Sequence, residues 1–190
     1  PCKEKGIMSD TKLNYLVASV VFLLALIIYI MTMAATVSFW DSGEFIASSY
    51  ILGIPHSPGT PMYILVGRVF TMLPIGIGIA QKVNLLSALC GALGVLMAYL
   101  IMHYVVRMMF KGTADGLKKF ILYAGPITGS LFLTFSDTYW WDATEAEVYA
   151  LSAFVMGLCV VLALKWYQNP AGVLGKGRKK LILEEMGKQE

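Results

Sequence analysis

LNYLVASVVFLLALIIYIMTMAATV, from Leu13 to Val37, contains no charged residue. A helix needs about 20 apolar residues to cross the hydrocarbon core of a bilayer, and this stretch exceeds that. It is also too long for the apolar core of a secretory leader, so it reads as a retained anchor. Working outward, Val83–Val106 is a second span, with only Asn84 and His103 as polar interruptions near its ends. Phe120–Phe135 is shorter and carries Gly125-Pro126, which predicts a kinked or tilted helix. Tyr149–Leu164 is also short, and Trp166 and Tyr167 extend it as an interfacial belt. The expectation is an all-α polytopic membrane protein with four transmembrane helices.

Composition agrees. Hydrophobic residues make up 57% of the chain and charged residues 14%, and the mean hydropathy is +0.68. A soluble domain carries about 25% charged residues. The net charge of +3 and the lack of a basic stripe interleaved with aromatics set nucleic acid aside as a partner. Cys90 and Cys159 fall inside apolar runs, where cysteine usually acts as a small buried hydrophobe. No zinc-type spacing occurs. The numbering starts at Pro1, so the chain is expected to begin inside a longer protein or after processing, with Met8 a candidate start.

Between the first two spans, Thr60–Ala80 is apolar but holds Arg68 and Pro74. A helix from Pro61 to Leu73 would be about 20 Å long at 1.5 Å per residue, too short for the roughly 30 Å core. It reads as an amphipathic helix lying at the membrane surface or dipping into it, with Ser57 or Thr60 as its cap and Pro61 in its first turn. A fifth span is the alternative.

Four spans place thirteen lysines and arginines on one side, among them Arg107, Lys111, Lys118, Lys119 and Lys165, and only Arg68 and Lys82 on the other. The positive-inside rule puts the lysine-rich side in the cytosol. Residues 1–168 then form the transmembrane domain, with outer loops 38–82 and 136–148. Residues 169–190 form a basic cytosolic tail or linker that hugs anionic lipid.

The acids gather in the outer loops. W-D-x-x-E occurs as Trp40, Asp41, Glu44 and again as Trp141, Asp142, Glu145, followed by Glu147. Positions three apart share a helix face. Carboxylates crowded at a membrane interface repel one another unless a cation, a proton or a basic group lies between them, and Arg68 and His56 are the basic groups nearby. Ordinary N-capping by Asp41 and Asp142, with the tryptophans as belt anchors, is the competing account. Gly53-Ile54-Pro55-His56-Ser57-Pro58-Gly59-Thr60-Pro61 is a stiff, irregular loop able to hold His56 in a defined pocket, or a plain connector.

Two longer strings are more specific. FWDSGEFIASSYILGIPHSPGTPMYILVGRVFTMLP with NLLSAL, and later WWDATEAEVYALSAF, resemble the domain-of-unknown-function 2723 family. That family is related to protein O-mannosyltransferases of the transmembrane protein 260 type. The resemblance covers about Leu13 to Leu164. It implies a GT-C-type membrane glycosyltransferase that moves a sugar, mannose in the related enzymes, from a polyprenyl-phosphate donor to a hydroxyl such as a protein Ser or Thr. It carries the base onto Asp41, with Glu44 beside it. Here the two acids are three apart, unlike the D-E pair of classical mannosyltransferases, which leaves open which of them is the base.

His56, Arg68, Trp40, Asp142, Glu145 and Glu147 are the expected substrate-binding residues. Positive charge for the leaving phosphate would come from Arg68, from a divalent metal, or from residues beyond this chain. Four spans are too few for a complete GT-C enzyme, so the chain reads as its N-terminal part. The partners expected are membrane lipid, the lipid-linked sugar and a protein acceptor. The location expected is a bacterial inner membrane with its active face toward the periplasm, or the endoplasmic reticulum in a eukaryote. The rival is a non-catalytic membrane module, a transporter half or a scaffold subunit. A transporter should place ionisable groups at mid-membrane, and these spans lack them.

Overall fold

A computed structural model describes residues 2–58, 60–110 and 116–168, and among these all regular structure is helical. In chain order the helices are α1 (Cys2–Thr32), α2 (Ser42–Ile51), α3 (Pro61–Thr71), α4 (Ile79–Met109), α5 (Leu117–Thr134), α6 (Asp137–Thr144) and α7 (Val148–Gln168). Among the described residues, three stretches are long and apolar enough to cross a membrane: Lys12–Thr32, all of α4 and all of α7. Helix α5 occupies the place of the expected span Phe120–Phe135 and is 18 residues long. The expected tail, residues 169–190, lies outside the described residues.

Helix α4 is the spine, packing against α1, α5, α6 and α7 and also touching α2 and α3. Its 31 residues rise about 46 Å at 1.5 Å each, well beyond the roughly 30 Å hydrocarbon core. One part of it therefore lies in the bundle while another supports the outer loops. In the bundle, Ala18, Val21, Ala25 and Tyr29 of α1 face Ala88, Ala92, Val95 and Tyr99 of α4. Both sets recur every three or four residues, the period of one helix face. Small residues there let two backbones approach closely, which drives helix association where lipid removes the hydrophobic contribution. Polar pins close both ends of the apolar stretch Lys12–Thr32 of α1: Tyr99 donates its hydroxyl to Asn14 Oδ1 at 3.0 Å, and Tyr29 donates to the Thr134 carbonyl at 3.0 Å. Leu16, Val20, Leu23 and Ile27 on α1, and Val160 and Leu162 on α7, are exposed, as a lipid-facing surface requires. Cys90 is buried, but Cys159 is exposed: an apolar run in a membrane helix includes the lipid-facing side, so its cysteine need not be interior.

Helix α5 runs through Pro126 without interruption. Proline has no N–H, so the carbonyl four residues earlier, that of Leu122, loses its helical partner. In lipid an orphaned carbonyl costs several kcal/mol. The buried His103 of α4 hydrogen-bonds the Leu122 backbone and fills that gap. His103 also stacks on Tyr99 and meets Tyr123 at a tilt of 45°.

At the end of the bundle where α1 finishes and α4 begins, α2 and α3 pack against each other and against α4. A Cβ on Gly67 would collide with the Ser49 side chain, so glycine is what lets this pair close. Helix α3 buries Tyr63, Ile64, Gly67 and Thr71 and exposes Met62, Leu65 and Val69, as does Met72 just after it. It is apolar on both faces and, at 11 residues, about 16 Å long, too short to cross. The fifth-span alternative for Thr60–Ala80 therefore fails on length, and the helix is less amphipathic than expected, with apolar residues on its exposed face as well. Helix α6 lies across the outer part of α4, where Tyr139 donates its hydroxyl to the Gly91 carbonyl at 2.9 Å. A Cβ on Gly91 would sit 2.5 Å from that of Ala143.

Candidate active site

Asp41 is the residue before α2, yet its carboxylate makes no capping hydrogen bond. Asp142 lies inside α6 rather than at its start. The two acids are therefore not there as caps. Trp40, just before Asp41, has a left-handed backbone at φ 59°, which costs a non-glycine residue roughly 1–2 kcal/mol. Leu52 and Thr60 share that conformation. Every non-glycine residue with positive φ among the described residues thus lies between Trp40 and Thr60, and strain of this kind clusters at functional sites.

The loop after α2 returns His56 to the start of the helix. Glu44 takes it with both oxygens: Oε1 accepts the His56 backbone N–H at 2.7 Å, and Oε2 meets His56 Nδ1 at 2.8 Å. The far ring nitrogen, Nε2, lies 3.8 Å from Asp41 Oδ2. Phe45 fixes the ring from one side with centroids 5.9 Å apart, and Tyr63 packs on Phe45 in turn. Hydrogen bonding to His56 holds Glu44 below the usual carboxylate range. The same bond, aided by the charges of Glu44, Asp41 and Glu147, raises His56 above the usual imidazole range. Glu44 and His56 form a hydrogen-bonded pair, and Asp41 faces the other ring nitrogen at the longer distance of 3.8 Å, too far for a hydrogen bond.

The second motif reaches this group through Glu147. Burial first, then the charges of Asp41, Asp142 and Glu145, push its carboxyl up to about 7. Burial, with Glu145 second, also raises Asp142. The Glu147 N–H lies 3.4 Å from Ser87 Oγ, and that hydroxyl is 3.1 Å from the Tyr63 hydroxyl. A polar thread thus joins α3, α4 and the start of α7 beneath the acids.

Arg68 stands elsewhere. Its guanidinium hydrogen-bonds the Tyr50 carbonyl at the end of α2 and covers the Tyr50 ring at 5.7 Å. Trp40 is almost wholly exposed. Glu145 turns toward a separate cavity between α1, α5 and α6. Phe135, Asp137 and Trp140 line that cavity too, and sequence reasoning did not single them out. The available signal was an acid set among aromatics in FSDTYWW.

Asp41, Glu44 and His56 offer three ligand atoms within 4.8 Å of one another. Two carboxylates and an imidazole at that spacing suit a small divalent ion with open positions for other oxygens.

The ion pair gives a direct check. In the full chain, an NMR titration should place His56 above its ordinary pKa of about 6.5, and Glu44→Gln should return it toward that value. The pair is fully charged between the lowered Glu44 value and the raised His56 value. Its stabilisation fades as pH falls through the first or rises through the second. A His56 titrating at or below 6.5 would show that the two do not pair in solution.

Fold and site define a helical integral membrane protein with an acid–histidine cluster at the end of its bundle where α1 finishes and α4 begins. Residues 41–184 match the family described as the protein O-mannosyl-transferase TMEM260 N-terminal domain, and the chain belongs to that family. It is 30% identical over 145 residues to protein O-mannosyl-transferase TMEM260 of Mus musculus, covering 76% of this chain and 18% of the relative. It is 25% identical over 148 residues to its Dictyostelium discoideum namesake, covering 77% and 16%. The chain thus spans under a fifth of these relatives. No solved structure matches it significantly.

Proposed function

We propose that this chain is the catalytic N-terminal module of a GT-C-type membrane glycosyltransferase, with α5 as a fourth span and α2, α3 and α6 on the non-cytoplasmic side. In this reading the donor is a polyprenyl-phosphate sugar, mannose by the relatives' names, and the acceptor a protein Ser or Thr hydroxyl. The side facing outward is the periplasm in a bacterium and the lumen of the endoplasmic reticulum in a eukaryote, the origin of both relatives.

The observation that carries the proposal is the state of Asp41. It caps nothing, its side chain is about half exposed, and Glu44 is spent on His56. A half-exposed carboxylate that accepts no hydrogen bond among the described residues, 3.8 Å from a positioned imidazole, is able to take the proton of an acceptor hydroxyl as that oxygen attacks the anomeric carbon. Glu44 is then a positioning residue for His56. With His56 deprotonated, Asp41, Glu44 and His56 would instead be able to hold a divalent ion, which would supply in place of the imidazolium the positive charge that a leaving phosphate needs. Proton transfer at Asp41 needs only one of its two oxygens. The exposed apolar face of α3 suits the polyprenyl tail. The test is direct: the full-length protein in lipid should move radiolabelled mannose from its polyprenyl phosphate to a Ser/Thr peptide, and absence of transfer from any lipid-linked donor returns the chain to the non-catalytic rival.

A further inference from the structure

We infer that the outer cavity between α1, α5 and α6 is a binding site for a neutral hexopyranoside. It measures about 490 Å³, within the roughly 300–1,000 Å³ of small-molecule sites. Phe135, Trp140 and Trp141 give it an aromatic wall, and Asp137, Thr144 and Glu145 supply its polar groups. Phe135 and Trp141 are more than half exposed, so their rings are open to a ligand.

Apart from the indole N–H groups of Trp140 and Trp141, the polar side chains of Asp137, Thr144 and Glu145 offer lone pairs. The Thr144 hydroxyl already spends its hydrogen on the Trp140 carbonyl at 2.9 Å, leaving lone pairs. Glu145 is 8% exposed, yet its side chain lines the cavity and no hydrogen-bond donor reaches its carboxylate among the described residues. Its oxygens open into the cavity rather than being sealed in protein, so a ligand bearing several hydroxyls could donate to them. The negative faces of the aromatic rings suit the weakly positive C–H face of a pyranose. No lysine or arginine lines the cavity among the described residues, so a phosphate would meet only negative groups. A compact cation is the other ligand such walls attract. The acceptors favour the sugar, because Asp137 and Thr144 sit at opposite ends of α6, about 10 Å apart at 1.5 Å per residue. That spread fits hydroxyls on opposite edges of a ring system better than a point charge.

This site is distinct from the Asp41 cluster, and the inference stands whether or not Asp41 is a base. Saturation-transfer NMR on the full-length protein in nanodiscs, with methyl α-D-mannopyranoside and its glucoside as probes, tests it without any donor lipid. At least one glycoside should bind saturably. Trp141→Ala and Glu145→Gln should each weaken binding by about tenfold or more, with thermal unfolding midpoints confirming that the variants are folded. Trp166→Ala, at the far end of α7, should leave binding unchanged. Mannose 1-phosphate should bind more weakly than the methyl glycoside. The inference is overturned if neither glycoside binds, if both cavity variants bind as the wild type does, if the sugar phosphate binds as well as the glycoside, or if tetramethylammonium displaces the glycoside and binds more tightly.

Discussion

Asp41→Asn in the full-length protein is expected to lower sugar transfer by about 10²–10⁴-fold, the usual contribution of a general base, while folding and membrane insertion persist. Asparagine keeps the shape of the side chain and its ability to accept a hydrogen bond, and loses only basicity. It is also as good a helix cap as aspartate, so a capping role would leave the change nearly silent. The structure sharpens this contrast, since Asp41 makes no capping bond to lose. Glu44→Gln should be milder, because it releases His56 without removing the base. A severe Glu44→Gln with a mild Asp41→Asn would reverse the two roles. If neither substitution affects measurable transfer, the chemistry lies outside this loop.

Asn84→Asp should destabilise the fold by about 3–5 kcal/mol, the cost of an uncompensated buried charge. Asn84 is fully buried, and its amide nitrogen donates to the carbonyls of Ala34 at 2.8 Å and Thr36 at 3.3 Å. These bonds tether to α4 the segment that leads into Trp40 and Asp41. Aspartate has the same shape but turns a donor into a negative acceptor facing two carbonyl oxygens. Asn84→Ala, which only deletes the bonds, should cost less, about 1–3 kcal/mol. Thermal or denaturant unfolding in detergent reads the difference. An Asp variant within about 0.5 kcal/mol of the wild type would mean that the tether carries no weight.

The helical membrane architecture was legible because apolar runs announce themselves, although their ends were not. Val83–Val106 becomes Ile79–Met109, since Gln81 and Lys82 continue the helix after the hydropathy has faded. Gln81 itself caps the Gly78 N–H from within the first turn. The acids of the site were legible as repeated motifs, but their pairing was not. Glu44 and His56 are 12 residues apart and meet only because the loop after α2 doubles back. Arg68 was expected among the acids, yet the packing of α3 on α2 sets it at the far end of α2, where the Tyr50 carbonyl and ring take it. His103 and Pro126 were each visible as oddities within apolar runs. Nothing local says that one repairs the other, because that bond depends on how α4 packs on α5.

The protrusion of α4 beyond the bundle bears on which changes of length this chain can absorb. Asn84, Ser87 and Gly91 meet the segment before α2, the start of α7 and helix α6 in turn, so a single rod sets the angular phase of three outer elements. Each residue of an α-helix advances about 100° around its axis. One residue added between Ser87 and Gly91 would therefore turn Asn84 and Ser87 about a quarter-turn away from the partners that Gly91 keeps in place, and the two acidic motifs would lose their common frame. Length can drift in a surface connection without such a penalty, but along this helix it is fixed residue by residue.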